Sequence, residues 1–370
     1  MAVPPLRPPI YRHAVALTLV AFAIIGMMSY LVARSFRSSA PVSATQRASA
    51  SVPEIVKAPT GEPEPPKALA QKISALGGAF DGRVGIVVRS VDGDWSATYR
   101  SEGLFPQQSV SKLWVAATVL DQADEGKLSL SDTITLTAKD LTIFHQPIRK
   151  RIGSGQYTAT LADLLSFAVT QSDNTANDAL FRKVGGQEGV GRFLSRHNLA
   201  EIAVGSGEKD LQTKAAGMTW DDSFSYGRTF WRVRETVPIA VRATAIGDYV
   251  TNPPDGATPA AVALALSRLA KGDLLSKGST AYLLDLMSKS KTGPDRLRAG
   301  LSPGWSLAHK TGTGQVLGYY ATAYNDVGIL TSPEGKRYAL VVMIASTQQS
   351  VPIRQALMAE VTRSVIAGLN

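Results

Sequence analysis

Cysteine is absent from all 370 residues, which excludes disulfides, thiolate metal sites and a thiol nucleophile. An exported protein that avoids oxidative mispairing would have such a composition. Histidine is scarce: His13, His145, His197 and His309 are the whole set, and no two stand at a metal-ligand spacing. A Ser-His-Asp triad has no local signature among them. Acidic residues are missing from the first fifty positions, which hold Arg7, Arg12, Arg34, Arg37 and Arg47. The remainder carries 34 basic against 30 acidic residues, a balance too even to suggest a nucleic-acid partner. No internal repeat is present.

A long hydrophobic run does exist. Residues 14–33 are twenty uncharged positions, interrupted only by Thr18, Gly26 and Ser29 and flanked by Arg12, His13, Arg34 and Arg37. That length spans a bilayer core. The segment reads as a single transmembrane anchor or signal helix behind a tail of residues 1–13. Its length and closing arginines favour an uncleaved anchor over a cleaved signal, for which Ser39-Ala40 or Ser43-Ala44 would be the cleavage point. Residues 34–67 are rich in Ser, Ala and Pro, including Pro41, Pro53, Pro59, Pro63, Pro65 and Pro66, and read as a disordered linker. Residues 68–370 are long enough for one large domain or two interleaved ones.

Within that domain a helix is expected at about Ala68–Leu76. A hairpin follows, because β-branched Arg83–Ser90 and Trp95–Arg100 flank Asp92-Gly93. Apolar periodicity predicts helices over Leu113–Leu120, Leu161–Val169, Ala176–Val184, Ala260–Ala270, Leu283–Met287 and Val351–Leu369. Strands are predicted over Thr133–Leu136, Ser306–Thr311, Tyr320–Leu330 and Tyr338–Ser346. Strands at both ends with helices between imply an α+β fold: one antiparallel sheet built from N- and C-terminal segments, flanked by helices, with a mainly helical subdomain. Residues 187–254 show no clean period apart from a helix near Glu188–Leu199. The aromatics Phe224, Tyr226, Phe230 and Trp231 there suggest a lid, a packing flap or a surface insertion with a small core of its own.

Three short motifs carry the chemistry. Ser109-Val110-Ser111-Lys112 opens the apolar helix, so Ser109 and Lys112 share a face, and a lysine shielded from water can take the proton of the serine hydroxyl. The N–H groups at the helix start favour negative charge developing beside Ser109. Ser172-Asp173-Asn174 offers a proton-relaying hydroxyl and an amide for a substrate carbonyl or amide, while Asp173 suits a structural role in its own loop. His309-Lys310-Thr311-Gly312-Thr313-Gly314, at a strand end, offers a lysine, two hydroxyls and a close backbone approach at Gly312 for an anionic carboxylate.

Taken together and in this order, the motifs resemble those of the penicillin-recognising serine enzymes, and the chain is similar to class A β-lactamases over about residues 82–370. Phe105-Pro106, Gly126-Lys127-Leu128-Ser129-Leu130, Thr175-Ala176, Gly185-Gly186, Thr258-Pro259 and Asn325-Asp326-Val327-Gly328-Ile329 add to the likeness. The resemblance implies that Ser109 is acylated, Lys112 is its base or relay, and Ser172 carries the proton to the leaving nitrogen. It implies that Asn174 holds the side-chain amide, that Lys310, Thr311, Gly312 and Thr313 form the carboxylate subsite, and that the N–H groups of Ser109 and Thr313 form the oxyanion hole. No metal or organic cofactor is expected. The substrate would be a β-lactam or a peptidoglycan-like peptide, met by a monomer in the cell envelope, either anchored in the inner membrane facing the periplasm or exported. In one respect the pattern departs from the class: its Glu-x-x-Leu-Asn motif, whose glutamate activates the deacylating water, is not found before Thr258-Pro259. Counting back from there reaches Arg242, with Glu235, Asp221, Asp222 and Asp248 as substitutes. Without that glutamate, a D,D-peptidase, a cell-wall acyltransferase or a slowly deacylating sensor is the alternative.

Overall fold

The computed structural model describes residues 63–369. The expected tail, the segment 14–33 and nearly all of the linker lie outside the described residues. Among the described residues no helix is long and apolar enough to cross a membrane. Helix α1 (Lys67–Ala79) starts behind Pro66 and buries Leu69 and Ile73, one turn apart. Strands β1 (Arg83–Ser90) and β2 (Ser96–Tyr99) form the hairpin that Asp92-Gly93 predicts. After the two-residue β3 (Phe105–Pro106), a 3₁₀ turn (Gln108–Ser111) runs into α2 (Lys112–Asp124).

The helical subdomain is wrapped around α2. Residues 112–121 are buried without a break, as expected of a helix that is apolar on all sides. Its neighbours come from β4 (Thr133–Thr137), α3 (Arg149–Ile152), β5 (Gln156–Thr160), α4 (Leu161–Thr170), α5 (Asn174–Lys183) and α6 (Gly186–Arg196). The pairing of β4 with β5 was only half foreseen, because β5 buries a single alanine, Ala159, and leaves Gln156 and Thr158 exposed.

The poorly periodic stretch resolves into α7 (Glu208–Lys214), a 3₁₀ turn at Asp222–Ser225, α8 (Thr229–Thr236) and α9 (Ile239–Thr251). Strand β6 (Gly256–Ala257) then pairs with β3, setting Phe105 opposite Ala257 and Pro106 opposite Gly256. Helix α10 (Pro259–Lys271) has proline in its first turn and is capped by Thr258, whose Oγ1 accepts from the N–H of Ala261 at 3.0 Å. Helix α11 (Lys277–Ser288) leads to β7 (Ser306–Thr313), β8 (Val316–Leu317), β9 (Tyr320–Thr331), β10 (Arg337–Thr347) and α12 (Val351–Leu369).

The main sheet runs β2-β1-β10-β9-β7, all antiparallel, with β8 paired to β9. It joins the two ends of the domain, as strands at both ends imply: Ile86 faces Val342 and Val88 faces Leu340. Side chains alternate across a strand. Leu340, Val342 and Ile344 of β10 therefore meet α1 and α12 through Leu69, Ile73, Met358 and Val361. Val341, Met343 and Ala345 meet the core containing α10 and α2. Burial on both faces explains why β10 reads as an unbroken apolar run from Tyr338 to Ala345.

Candidate active site

Three elements converge on Ser109. Its 3₁₀ turn keeps residues three apart eclipsed, so the expected Ser109–Lys112 contact forms although the α-helix proper starts only at Lys112. Lys112 is fully buried, and its Nζ donates to Ser109 Oγ at 3.0 Å. The turn is held on several sides. Gln108 takes a left-handed conformation (φ 52°), and its N–H donates to Asp255 Oδ2 at 2.6 Å. Gln107 Nε2 donates to Ala203 O and Asp255 O at 2.7 and 2.9 Å, while Gln107 Oε1 accepts from Trp114 Nε1 at 2.6 Å. Asn325 on β9 donates to the carbonyls of Pro106 and Gln107 at 2.8 and 3.1 Å.

The second donor contact of Lys112 overturns an expectation. Its Nζ also donates to Glu208 Oε1, and both side chains are buried. Glu208 opens α7 in the run Glu208-Lys209-Asp210-Leu211-Gln212. This is the Glu-x-x-Leu-Asn motif with glutamine in the last place, so the motif is present. Counting back from Thr258-Pro259 misses it because the extra chain lies after the motif, in α8 and α9. Counting forward from Gly185-Gly186, and allowing the larger amide, would have found it. The substitutes fall elsewhere: Asp221, Asp222 and Glu235 are exposed, and Asp248 lines a separate cavity of about 510 Å³ between α7 and α9.

Around Glu208 the polar groups interlock. Gln212 Nε2 donates to Glu208 Oε2 at 3.2 Å and to Gln108 Oε1 at 2.7 Å. The N–H of Glu208 lies 3.1 and 3.2 Å from the two oxygens of Asp178. Burial, with the nearby Glu208 charge, pushes the Asp178 carboxyl up to about 6. Asp255, which anchors the turn that bears Ser109, is likewise pushed up to about 6, chiefly by burial.

Ser172 sits at φ 59°, and its Oγ accepts from Lys310 Nζ at 2.8 Å. Lys310 is fully buried and also donates to Thr311 O at 3.0 Å. Burial first, then the charges of Lys112 and Arg296, hold its amine well below the usual lysine range. Asp173 is structural, as expected: it accepts from the N–H of Ala176 at 2.9 Å and of Ile148 at 2.6 Å. Asn174 Nδ2 donates to Ile143 O at 2.9 Å, which fixes the amide at the cleft wall.

Strand β7 supplies Thr311 and Thr313, and Arg296, which the sequence reading missed, completes this side. Arg296 Nη2 donates to Thr313 Oγ1 at 2.6 Å, and Nη1 donates to Gly312 O and Asn325 O at 3.0 and 2.7 Å. Its guanidinium lies 3.8 Å from the Tyr324 ring centroid. No local motif surrounds Arg296, because its place is set by strands distant in sequence. Thr311 Oγ1 lies 2.7 Å from Thr292 Oγ1. A Cβ on Gly312 would stand 2.3 Å from Gln107 O, so glycine there lets β7 close on the turn that bears Ser109.

These residues line a cleft of about 200 Å³ with Ser109, Ser172, Asn174 and Glu208 on one side, Thr311, Thr313 and Arg296 on the other, and Phe144 and His145 at its mouth. Chemically it offers a serine joined to a buried lysine–glutamate pair, a second serine joined to a buried lysine, and a cationic, hydroxyl-lined patch for an anion. Among the described residues no cluster of side chains is arranged to hold a metal ion.

Comparison with known proteins gives a consistent answer. A model described as the β-lactamase enzyme family matches residues 68–369. β-Lactamase VEB-1 of Pseudomonas aeruginosa is 26% identical over 296 residues, covering 80% of this chain and 88% of that one. Extended-spectrum β-lactamase PER-1 of the same organism is 30% identical over 261 residues, covering 70% and 74%. Among solved structures, a β-lactamase from Chitinophaga pinensis DSM 2588 superimposes with a TM-score of 0.68 at 30% identity, covering 82% of this chain and 99% of that one. TLA-1 extended-spectrum β-lactamase gives 0.68 at 26% identity with the same coverage.

Proposed function

The chain belongs to the β-lactamase enzyme family, and we propose that it opens the cyclic amide of β-lactams through an ester formed on Ser109. The observation that carries this reading is the joint contact of Lys112 Nζ with Ser109 Oγ and Glu208 Oε1. In the first half-reaction Ser109 Oγ attacks the lactam carbonyl carbon and its proton passes to the Lys112–Glu208 pair, whose members can exchange it. The N–H groups of Ser109 and Thr313 hold the developing oxyanion. The C–N bond breaks and the nitrogen takes a proton from Ser172, which sits at the 2.8 Å contact from Lys310 and regains a proton from the Lys112–Glu208 pair, so that the pair ends the acylation as it began it. Lys310, Thr311, Thr313 and Arg296 hold the substrate carboxylate, with Gly312 allowing the close approach, and Asn174 holds the side-chain amide.

In the second half-reaction Glu208 takes a proton from water, which attacks the ester and returns Ser109. The D,D-peptidase and sensor alternatives rested on a missing glutamate, and Glu208 removes that ground. We further infer that residues 14–33 deliver the domain outside the cytoplasm, as an inner-membrane anchor or a cleaved signal, and that the domain works in the periplasm as a monomer. Residues of a single chain are enough to line the cleft. Loss of ring absorbance on mixing with a penicillin or a cephalosporin tests the activity: the wild type consumes both, and Ser109→Ala consumes neither. Equal consumption by Ser109→Ala would remove Ser109 from the reaction.

A further inference from the structure

Between Gln212 and Asp255 the chain carries extra sequence that the reaction above does not use. It folds around a small core of its own, in which Ala216, Phe224 and Phe230 meet Ile143, with Met218, Trp220 and Trp231 packed alongside. Both banks of the cleft hold it. On one bank the carbonyl of Ser225 accepts from Gln146 Nε2 at 3.0 Å and Arg149 Nη1 at 3.1 Å, while Ser225 Oγ donates to Leu141 O at 3.0 Å. On the other, Arg234 Nη2 donates to Val316 O at 3.0 Å, three residues beyond Thr313. Helix α8 thus bridges the loop that bears Phe144 and His145 to the strand end that bears the carboxylate subsite.

Where α8 meets the mouth of the cleft, it meets Phe144. The Phe144 ring stacks on Trp231 with centroids 5.2 Å apart and planes inclined at 21°, and it meets Phe230 edge-on at 5.0 Å. Phe144 has φ 61°, a region that a bulky side chain enters only when its surroundings hold it there. It remains 38% exposed and lines the cleft beside Asn174. Asn174 in turn is fixed through Ile143 O, the carbonyl just before Phe144. The group next to the substrate's side-chain amide would therefore come to rest against a flat aromatic face whose back is covered by Trp231.

We propose that α8 selects substrates: Trp231 fixes Phe144 as an aromatic shelf that binds a flat aryl group on the acyl side chain of the β-lactam. This rests on the activity assigned above. Trp231 acts through Phe144 and is a positioning residue. An offset aromatic contact of this kind corresponds to a preference of about 3- to 10-fold.

Steady-state kinetics of the full-length protein with two penicillins that share a nucleus test it. Benzylpenicillin carries an aryl acyl group, and 6-aminopenicillanic acid carries no acyl group. Trp231→Ala is expected to raise KM for benzylpenicillin about 3- to 10-fold with kcat little changed, while kcat/KM for 6-aminopenicillanic acid is unchanged. Trp231→Phe is expected to restore the preference. Trp231→Leu keeps apolar cover over Phe230 but removes the flat face, so it should lose the preference while retaining the wild-type Tm. An unchanged ratio of the two substrates in Trp231→Ala and Trp231→Leu, or an equal loss on both, would overturn the shelf. A wild type that consumed neither penicillin would overturn the activity itself, and the shelf with it.

Discussion

Lys112 and Glu208 form a buried pair within reach of Ser109. Such a pair is costly to bury, and removing one member leaves the other charge unpartnered. Lys112→Ala is therefore expected to cut acylation by at least about 100-fold and to lower stability by about 3 kcal/mol; wild-type acylation in single-turnover mixing would take lysine out of the mechanism. The two raised carboxyls make a pH prediction. Asp178 and Asp255 move from 3.8 to about 6 on folding, so the folded state binds their protons more tightly than the unfolded chain does. Stability from this source is present below about pH 4, falls as pH rises towards 6 and is lost above it, by about 3 kcal/mol per group. Asp178→Asn keeps an acceptor for the N–H of Glu208 and should flatten the denaturation midpoint between about pH 4 and 7; an unchanged slope would show that Asp178 does not titrate there. Ser109, Lys112, Ser172 and Lys310 were legible in the sequence because each sits in a local motif whose spacing is the chemistry. Glu208 was hidden by a glutamine in its motif and by extra chain downstream, and Arg296 by having no local motif.

At the scale of elements, the site depends on β7 lying against the nucleophile turn. Gly312 is the point of closest approach, where a Cβ would meet Gln107 O at 2.3 Å. A backbone oxygen cannot turn aside as a flexible side chain can. Gly312→Ala is expected to push β7 outward, lower Tm by several degrees and reduce kcat/KM by about 100-fold; near-wild-type kinetics would mean that the strand and the turn are not in fixed register. Strands such as β10 were readable because both faces are buried and the sequence is apolar from Tyr338 to Ala345. Helices α8 and α9 were not: they expose the apolar Val233, Ile239 and Val241, while α8 buries only Phe230 and Arg234 and α9 only Ile246, Tyr249 and Val250.

For the whole molecule, the pairing of β1 with β10 and the packing of α1 on α12 join the two ends of the domain. Strands near both termini made that closure legible before any contact was known. Removing residues 1–79 uncovers the face of β10 carrying Leu340, Val342 and Ile344 and should give an aggregating product; a soluble, cooperatively melting protein would show that α1 is dispensable. In the proposed mechanism one ester, made on Ser109, is cleared by water that Glu208 activates. Intact-mass measurements over time after mixing with benzylpenicillin, on the wild type and on Glu208→Gln, test it most directly. The wild type is expected to show an adduct that vanishes as the drug is consumed, and Glu208→Gln one that persists on Ser109. An adduct cleared equally fast in both proteins, or formed in neither, would contradict it.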